Sequence, residues 1–189
     1  MYTFTAIFDA CVLYPAPLRD LLMYLTGSDL FQARWTDDIH DEWMRSLLKN
    51  SSDVNQENLE RTRRLMDAYV DDCLVTGYES LIDALQLPDP DDRHVLAAAI
   101  KAKASFIVTF NIRDFPQTVL DSFQIQAITP DEFVMRLIDE DYHEILKLVK
   151  RQRENMKQPP MTIEEYLAML EQQRLPETVA FLREHQAEI

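Results

Sequence analysis

Glycine is nearly missing: the 189 residues contain two, Gly27 and Gly77. A Walker loop or a dinucleotide fingerprint needs clustered glycines so that the backbone can approach phosphates closely, and both are therefore excluded. Cysteine is as sparse, with Cys11 and Cys73 at no paired spacing, which suits a reducing compartment better than a disulfide-stapled secreted scaffold. HExxH and CxxC pairs are absent, so a standard zinc site is not expected. No apolar run is long enough to span a bilayer, and Asp9 interrupts the one near the start, so a soluble, cytoplasmic protein without membrane contact is expected. Basic charge is the last shortage. Nineteen Lys and Arg against 33 Asp and Glu leave a net charge of -14, which opposes unassisted attraction to the phosphate backbone of nucleic acid. A nucleic-acid substrate would need cations or local basic patches.

What is present is a chain with 47% hydrophobic residues, enough to bury a core in one medium domain or one domain with a helical appendage. "YTFTAIF" alternates and is β-rich, and "APLRDLLMYLTG" continues as a helix that stops at Gly27. "FQARWT" reads as a second strand, with Thr36 as N-cap of "DDIHDEWMRSLLKN", whose first turn is acidic as the helix dipole prefers. "QENLERTRRLMDAYV" is an amphipathic helix and "CLVTGY" a candidate strand. "LPDPDDRHVLAAAIKAKA" opens a helix with Asp89 as N-cap and Pro90 at the first helical position. "SFIVTF" and "FQIQAI" are further strands. Short strands alternating with helices imply βαβ units, a parallel sheet and helices on both faces, with the ligand crevice beyond the carboxyl ends of the strands. From about Thr129 the pattern is helical. Thr129 and Glu132 stand at capping-box spacing before a long helix that "QPP" breaks, and a hairpin follows with Thr162 and Glu165 as a second box and a turn near Pro176.

Four acids fall where such a crevice would gather them. Asp9 ends the first strand, Glu42 lies early in the helix after the second, Asp92 opens a later helix, and Asp114 follows "IVTFN". Each has a plain structural explanation when taken singly. Asp92 sits in a helix first turn, where a carboxylate gains about 0.3 to 1 kcal/mol. Glu42 has Arg45 three positions on as a surface partner. Asp114 and Asn111 are common turn formers. Asp9 is the hardest to explain this way, because an acid closing an apolar strand must be paired or bear a cost of several kcal/mol, on the order given for buried charge. Together the four suit magnesium or manganese, hard ions that take oxygen ligands and can polarise a phosphoryl oxygen and lower the pKa of a bound water.

The stretches "IFDACVLYP", "DDIHDEWMRSL", "DPDDRHVLAAAI" and "FIVTFNIRDFP", followed by "TPDEF", resemble the PIN-domain ribonucleases, in particular the VapC-type toxins of bacterial toxin–antitoxin pairs. The likeness covers roughly two-thirds of the chain, and the helical tail resembles a subgroup with a C-terminal helical extension. It implies a three-layer α/β/α PIN domain over residues 1–135 with a central parallel sheet, and a helical extension over 136–189. It implies a metal-dependent endoribonuclease in which Asp9, Glu42, Asp92 and Asp114 are catalytic and hold Mg2+ or Mn2+, with Asn111 behind them or sharing the last role. Asp41 and Asp91 are the neighbouring acids that would serve if the register shifts by one. It also implies an RNA substrate, a protein antitoxin covering the cleft and a homodimer. The family often has Thr or Ser and then Asn after the first acid, where this chain has Ala10 and Cys11; a polar partner of Asp9 is expected to be lost.

Outside that set, Cys11 reads as a small buried hydrophobe, His94 as a surface helical residue, and Trp35 and Trp43 as core. "RTRR" and "KLVKRQRENMK" are the basic runs and the best available phosphate contacts. Two other functions fit parts of the pattern. A catalytically silent PIN-like module binding RNA or protein fits the Ala10 and Cys11 departure. An α/β phosphatase or phosphoacceptor also places an Asp after the first strand, but it would want an acid where Cys11 stands and a Lys soon after "IVTFN".

Overall fold

The computed structural model describes residues 4–156 and 160–189. Four short strands, β1 (Phe4–Phe8), β2 (Phe31–Arg34), β3 (Phe106–Val108) and β4 (Gln126–Ile128), form one sheet in the order β2-β1-β3-β4. Every pairing is parallel, with Ile7 opposite Arg34 on one side of β1 and Phe8 opposite Val108 on the other. The chain leaves β1 toward β2 and later crosses to β3 and β4 on the other side, so the direction of winding reverses between β1 and β3. That switch point is where an open parallel sheet forms its crevice.

Helices α1 (Ala10–Leu13), α2 (Ala16–Leu25), α3 (Asp37–Asn50), α4 (Gln56–Tyr69), α5 (Glu79–Ile82), α6 (Arg93–Ala102) and α7 (Gln117–Leu120) fill the connections. The three-layer α/β/α arrangement with a parallel sheet is thus present. Phe133, on α8 (Pro130–Asn155), anchors one layer: its ring meets Phe31 edge-on at 4.9 Å and Phe8 at 5.7 Å. Aromatic pairs of this kind contribute about 0.5 to 1.5 kcal/mol beyond their burial. Helix α6, with Ala97, Ala98 and Ala99 fully buried, packs closely on β1 and β3. Trp35 and Trp43 are core, as their composition predicted.

Several elements are shorter than their patterns suggested. "CLVTGY" does not form a strand; Leu74 makes one parallel bridge with Trp35. The reason is local, since Asp72 (φ 53) and Gly77 (φ 72) are left-handed and bend the chain out of the sheet at both ends of the segment. In "FQIQAI" the left-handed Gln124 (φ 58) delays the strand until Gln126. The helix that was expected to start at Pro90 begins as a 3-10 turn, Pro90–Asp92, capped by the Asp89 side chain on the Asp91 N–H, and becomes α-helical at Arg93. The proposed start of the first strand at Tyr2 and most of the "QPP" break lie outside the described residues.

Helix α8 opens with the expected Thr129–Glu132 capping box and carries one non-helical residue, Asp141. It leads to α9 (Ile163–Gln172), which has the Thr162–Glu165 box, and to α10 (Pro176–Glu184). The tail is bolted to the sheet domain by polar groups with little exposure. Gln152 donates to Asp20 on α2 at 2.8 Å and accepts from the Tyr166 hydroxyl at 2.6 Å. Asp131 accepts from the backbone N–H of Glu177 and Thr178 and from the Thr178 hydroxyl, which caps α10.

Candidate active site

The crevice is built from the residues that end β1 and β3. Asp9 follows β1 directly, its N–H still paired with the Val108 carbonyl at 3.1 Å, and it is 2% exposed. One carboxylate oxygen accepts the Ala10 N–H at 2.6 Å, which starts α1. The other accepts the Thr109 hydroxyl at 2.6 Å and the Cys11 thiol at 3.1 Å. Thr109 follows β3 and is fully buried, so a side chain from the neighbouring strand fixes the first acid. Thr109 also accepts the Asn111 N–H at 2.9 Å, and Cys11 accepts the Phe110 N–H at 3.2 Å. The two strand ends are thereby laced together.

This lacing corrects the expectation that Asp9 lacks a polar partner. The partners are Thr109 and Cys11. Burial, and after it the charge of Asp9, pushes the Cys11 thiol well above its ordinary range, so it remains a neutral donor rather than a thiolate. Burial raises the Asp9 carboxyl, the hydrogen bonds from Thr109, Cys11 and Ala10 pull it back down, and the charge of Glu42 adds to the rise. Three of roughly four acceptor positions on this carboxylate are in use, so about one remains for a further ligand.

Asp92, in the 3-10 turn before α6, is largely buried. Its carboxyl is raised to about 7, first by burial and then by the charges of Asp9, Asp89, Asp114 and Glu42. Four like charges therefore bear on one carboxyl, and they come from four regions of the chain, Asp89 sharing the turn of Asp92 itself. Asp114 ends the 3-10 turn Ile112–Asp114 after β3 and is half-buried. Glu42, on α3, has a side chain 44% exposed and pairs with His94 at 3.3 Å rather than with Arg45. Burial alone would lower the His94 imidazole, but the hydrogen bond and charge of Glu42 outweigh it. His94 is thus a mostly buried member of the site instead of a surface residue, and its Nδ1 has no hydrogen-bond partner among the described residues.

The neighbouring acids are placed differently. Asp41 is exposed and binds Arg63 at 3.1 Å, together with Asp37. Arg63 of "RTRR" is therefore engaged by carboxylates. Asp91 is exposed, and Asn111 is exposed with its backbone, not its side chain, held by Thr109. Thr109 and His94 were the functional candidates that pattern reading passed over. Thr109 carried the same signal as Asp9, one polar residue closing an apolar strand.

The donor set is all carboxylate oxygen, and the neighbouring charges add to burial in raising Asp92; this chemistry fits a hard divalent cation. Among the described residues no three His, Cys, Asp or Glu side chains are already drawn together closely enough to hold an ion.

The fold and site define a parallel α/β domain whose switch point gathers acids that follow both central strands. The PIN domain model matches residues 5–113, more than half of the chain, and the chain belongs to the PIN-domain family. A second model, the VapC50 C-terminal domain, matches residues 130–184. Over 73 residues the chain is 44% identical to the Mycobacterium tuberculosis protein named "Putative ribonuclease VapC50", a stretch covering 39% of this chain and 42% of that one. The chain thus matches less than half the length of that relative. No solved structure matches it. Among the described residues no helix is long and apolar enough to cross a membrane.

Proposed function

We propose that the chain is a metal-dependent endoribonuclease acting as the toxin of a toxin–antitoxin pair, with residues 1–135 as the nuclease unit and 136–189 as an extension that shares α8 with it. The observation that carries this reading is the gathering of acids around Asp92, a carboxyl raised to about 7 first by its burial and then by the charges of Asp9, Asp89, Asp114 and Glu42, as at a site built for a cation. Family membership and the relative's name support the same chemistry.

In this reading Asp9, Glu42, Asp92 and Asp114 hold magnesium or manganese. The ion would neutralise phosphate charge and make water nucleophilic at neutral pH. The chain's own contribution is placement. Thr109 and Cys11 fix both the rotamer and the ionised form of Asp9. Asp92 retains a proton on its carboxyl near neutrality and releases it when a cation occupies the cluster, as ligand carboxylates must. His94 orients Glu42. The buried ends of β1 and β3 keep the inner side of the crevice dry, which strengthens each of these interactions.

The test is cleavage of a single-stranded RNA with added manganese or magnesium, comparing wild type with Asp9→Asn and Asp92→Asn. Wild type should cut only with metal present, and each variant should lose roughly 100-fold or more in rate, as removal of a group acting only in the transition state does. Variants that cut as well as wild type would refute the site. A silent binding module predicts instead that wild type binds RNA but neither cuts it nor takes up manganese in an Asp9-dependent way.

A further inference from the structure

We propose that Arg174, carried by the C-terminal helices, is a substrate-binding residue that grips single-stranded RNA at the rim of the acidic crevice. The proposal rests on the ribonuclease reading above and adds a role for the extension. Its guanidinium lies 4.5 Å from the centroid of the Phe110 ring. Phe110 is the residue after Thr109, and its N–H is bonded to Cys11, so the arginine rests on the side chain of a residue adjoining the two partners of Asp9. The extension therefore reaches the site.

Arg174 is exposed and left-handed, with φ 63. That conformation favours glycine, so glycine is the substitution the backbone accepts most readily here. The surroundings make it rigid. Its N–H bonds the Glu171 carbonyl at 3.0 Å, Leu175 next to it is fully buried, and Asp131 caps the helix that follows. No hydrogen bond engages the guanidinium among the described residues, so its N–H groups can fork onto a phosphate.

A groove of about 440 Å³ lies here, lined by Phe110, Thr129, Asp131, Glu171, Arg174 and Pro176. Of its acids, Asp131 is already bonded to three donors at the start of α10. Glu171 is exposed, and Arg174 offsets it. In a protein of net charge -14 this groove, whose Phe110 directly follows Thr109, provides what single-stranded nucleic acid needs: a cation for the backbone beside an aromatic ring. Duplex RNA offers no unstacked base for such a site.

The experiment uses the full chain. Arg174→Gly removes the guanidinium while relieving the backbone, so it is not expected to unfold the protein; Arg174→Lys keeps the charge without the planar fork; Arg183→Ala, an exposed arginine of α10 that stacks on no ring, is the control. With manganese and a short single-stranded RNA, Arg174→Gly should raise KM about fivefold or more with kcat within twofold, the lysine variant should fall between, and the control should match wild type. In the Asp9→Asn background, the slope of log affinity against log salt should fall by about 0.7 for the lost phosphate contact. An unchanged KM and slope in Arg174→Gly, with wild type active, would overturn the role of Arg174 and leave the nuclease reading standing. A wild-type protein that neither cuts nor binds RNA would overturn both.

Discussion

Replacing Thr109 by valine removes one hydroxyl and almost no volume, yet it should weaken the site strongly. The hydroxyl lies 2.6 Å from the Asp9 carboxylate and is fully buried, so no water can take its place. A hydrogen bond to a charged group contributes about 1.5 to 3 kcal/mol. At about 1.4 kcal/mol per factor of ten, its loss should weaken divalent-cation affinity by about 10- to 100-fold, the range seen when partners of metal ligands are removed. The direction of the pH effect follows. Thr109 holds the Asp9 carboxyl down against burial and the Glu42 charge; without it the carboxyl rises further, and binding must displace a more tightly held proton. The deficit should therefore be greater at about pH 6 than at about pH 8. Calorimetric titration with manganese of wild type, Thr109→Val and Thr109→Ser at both values measures it, with serine expected to recover most of the affinity. If Thr109→Val binds within twofold of wild type at both pH values, the hydrogen bond does not set the ionisation of Asp9 and the argument fails.

Two further outcomes bear on the same residues and on the tail. Asp92 has its folded-state pKa raised to about 7, so between the ordinary carboxylate range and neutrality the cation-free native state binds more protons than the unfolded chain, and stability falls as pH rises through that window. Melting temperatures recorded without metal at about pH 5 and about pH 8 should show a drop for wild type that Asp92→Asn largely abolishes; parallel drops would exclude the cluster as its origin. Asp131→Ala strips three donors from the start of α10 and should cost about 2 to 3 kcal/mol in urea unfolding, and a loss under about 0.5 kcal/mol would show that the extension is held elsewhere.

The parallel sheet and both capping boxes were legible because they depend on local signals: apolar runs of strand length, and Thr and Glu three apart before helical spacing. Asp9 was legible because an acid at the end of such a run has no cheap local explanation. Thr109 needed the knowledge that β3 lies beside β1, a non-local fact that no spacing contains. His94 was misplaced for the same reason, since its position two residues after Asp92 says nothing about Glu42 on a distant helix. The false strand at "CLVTGY" has the opposite origin. Its composition is β-rich, but left-handed backbone at Asp72 and Gly77 confines the segment to one bridge with Trp35.

The large acidic excess does not by itself produce the crevice. Elsewhere several acids are answered locally: Asp37 and Asp41 by Arg63, Asp72 by Arg34, Asp38 by the Tyr78 hydroxyl, Asp67 by Trp35 and His40, and Asp131 by a helix terminus. At the crevice Asp9, Asp92 and Asp114 are brought near Glu42, and the basic side chain paired there is His94, whose imidazole bonds Glu42 and also feels the charges of Asp38 and Asp9. A chain that neutralises carboxylates in so many places and leaves them in mutual repulsion at the junction of β1 and β3 bears an electrostatic cost there that packing does not require. Such a cost persists where it serves a site. The surplus charge at Asp92 is therefore a property of the crevice and not of the composition.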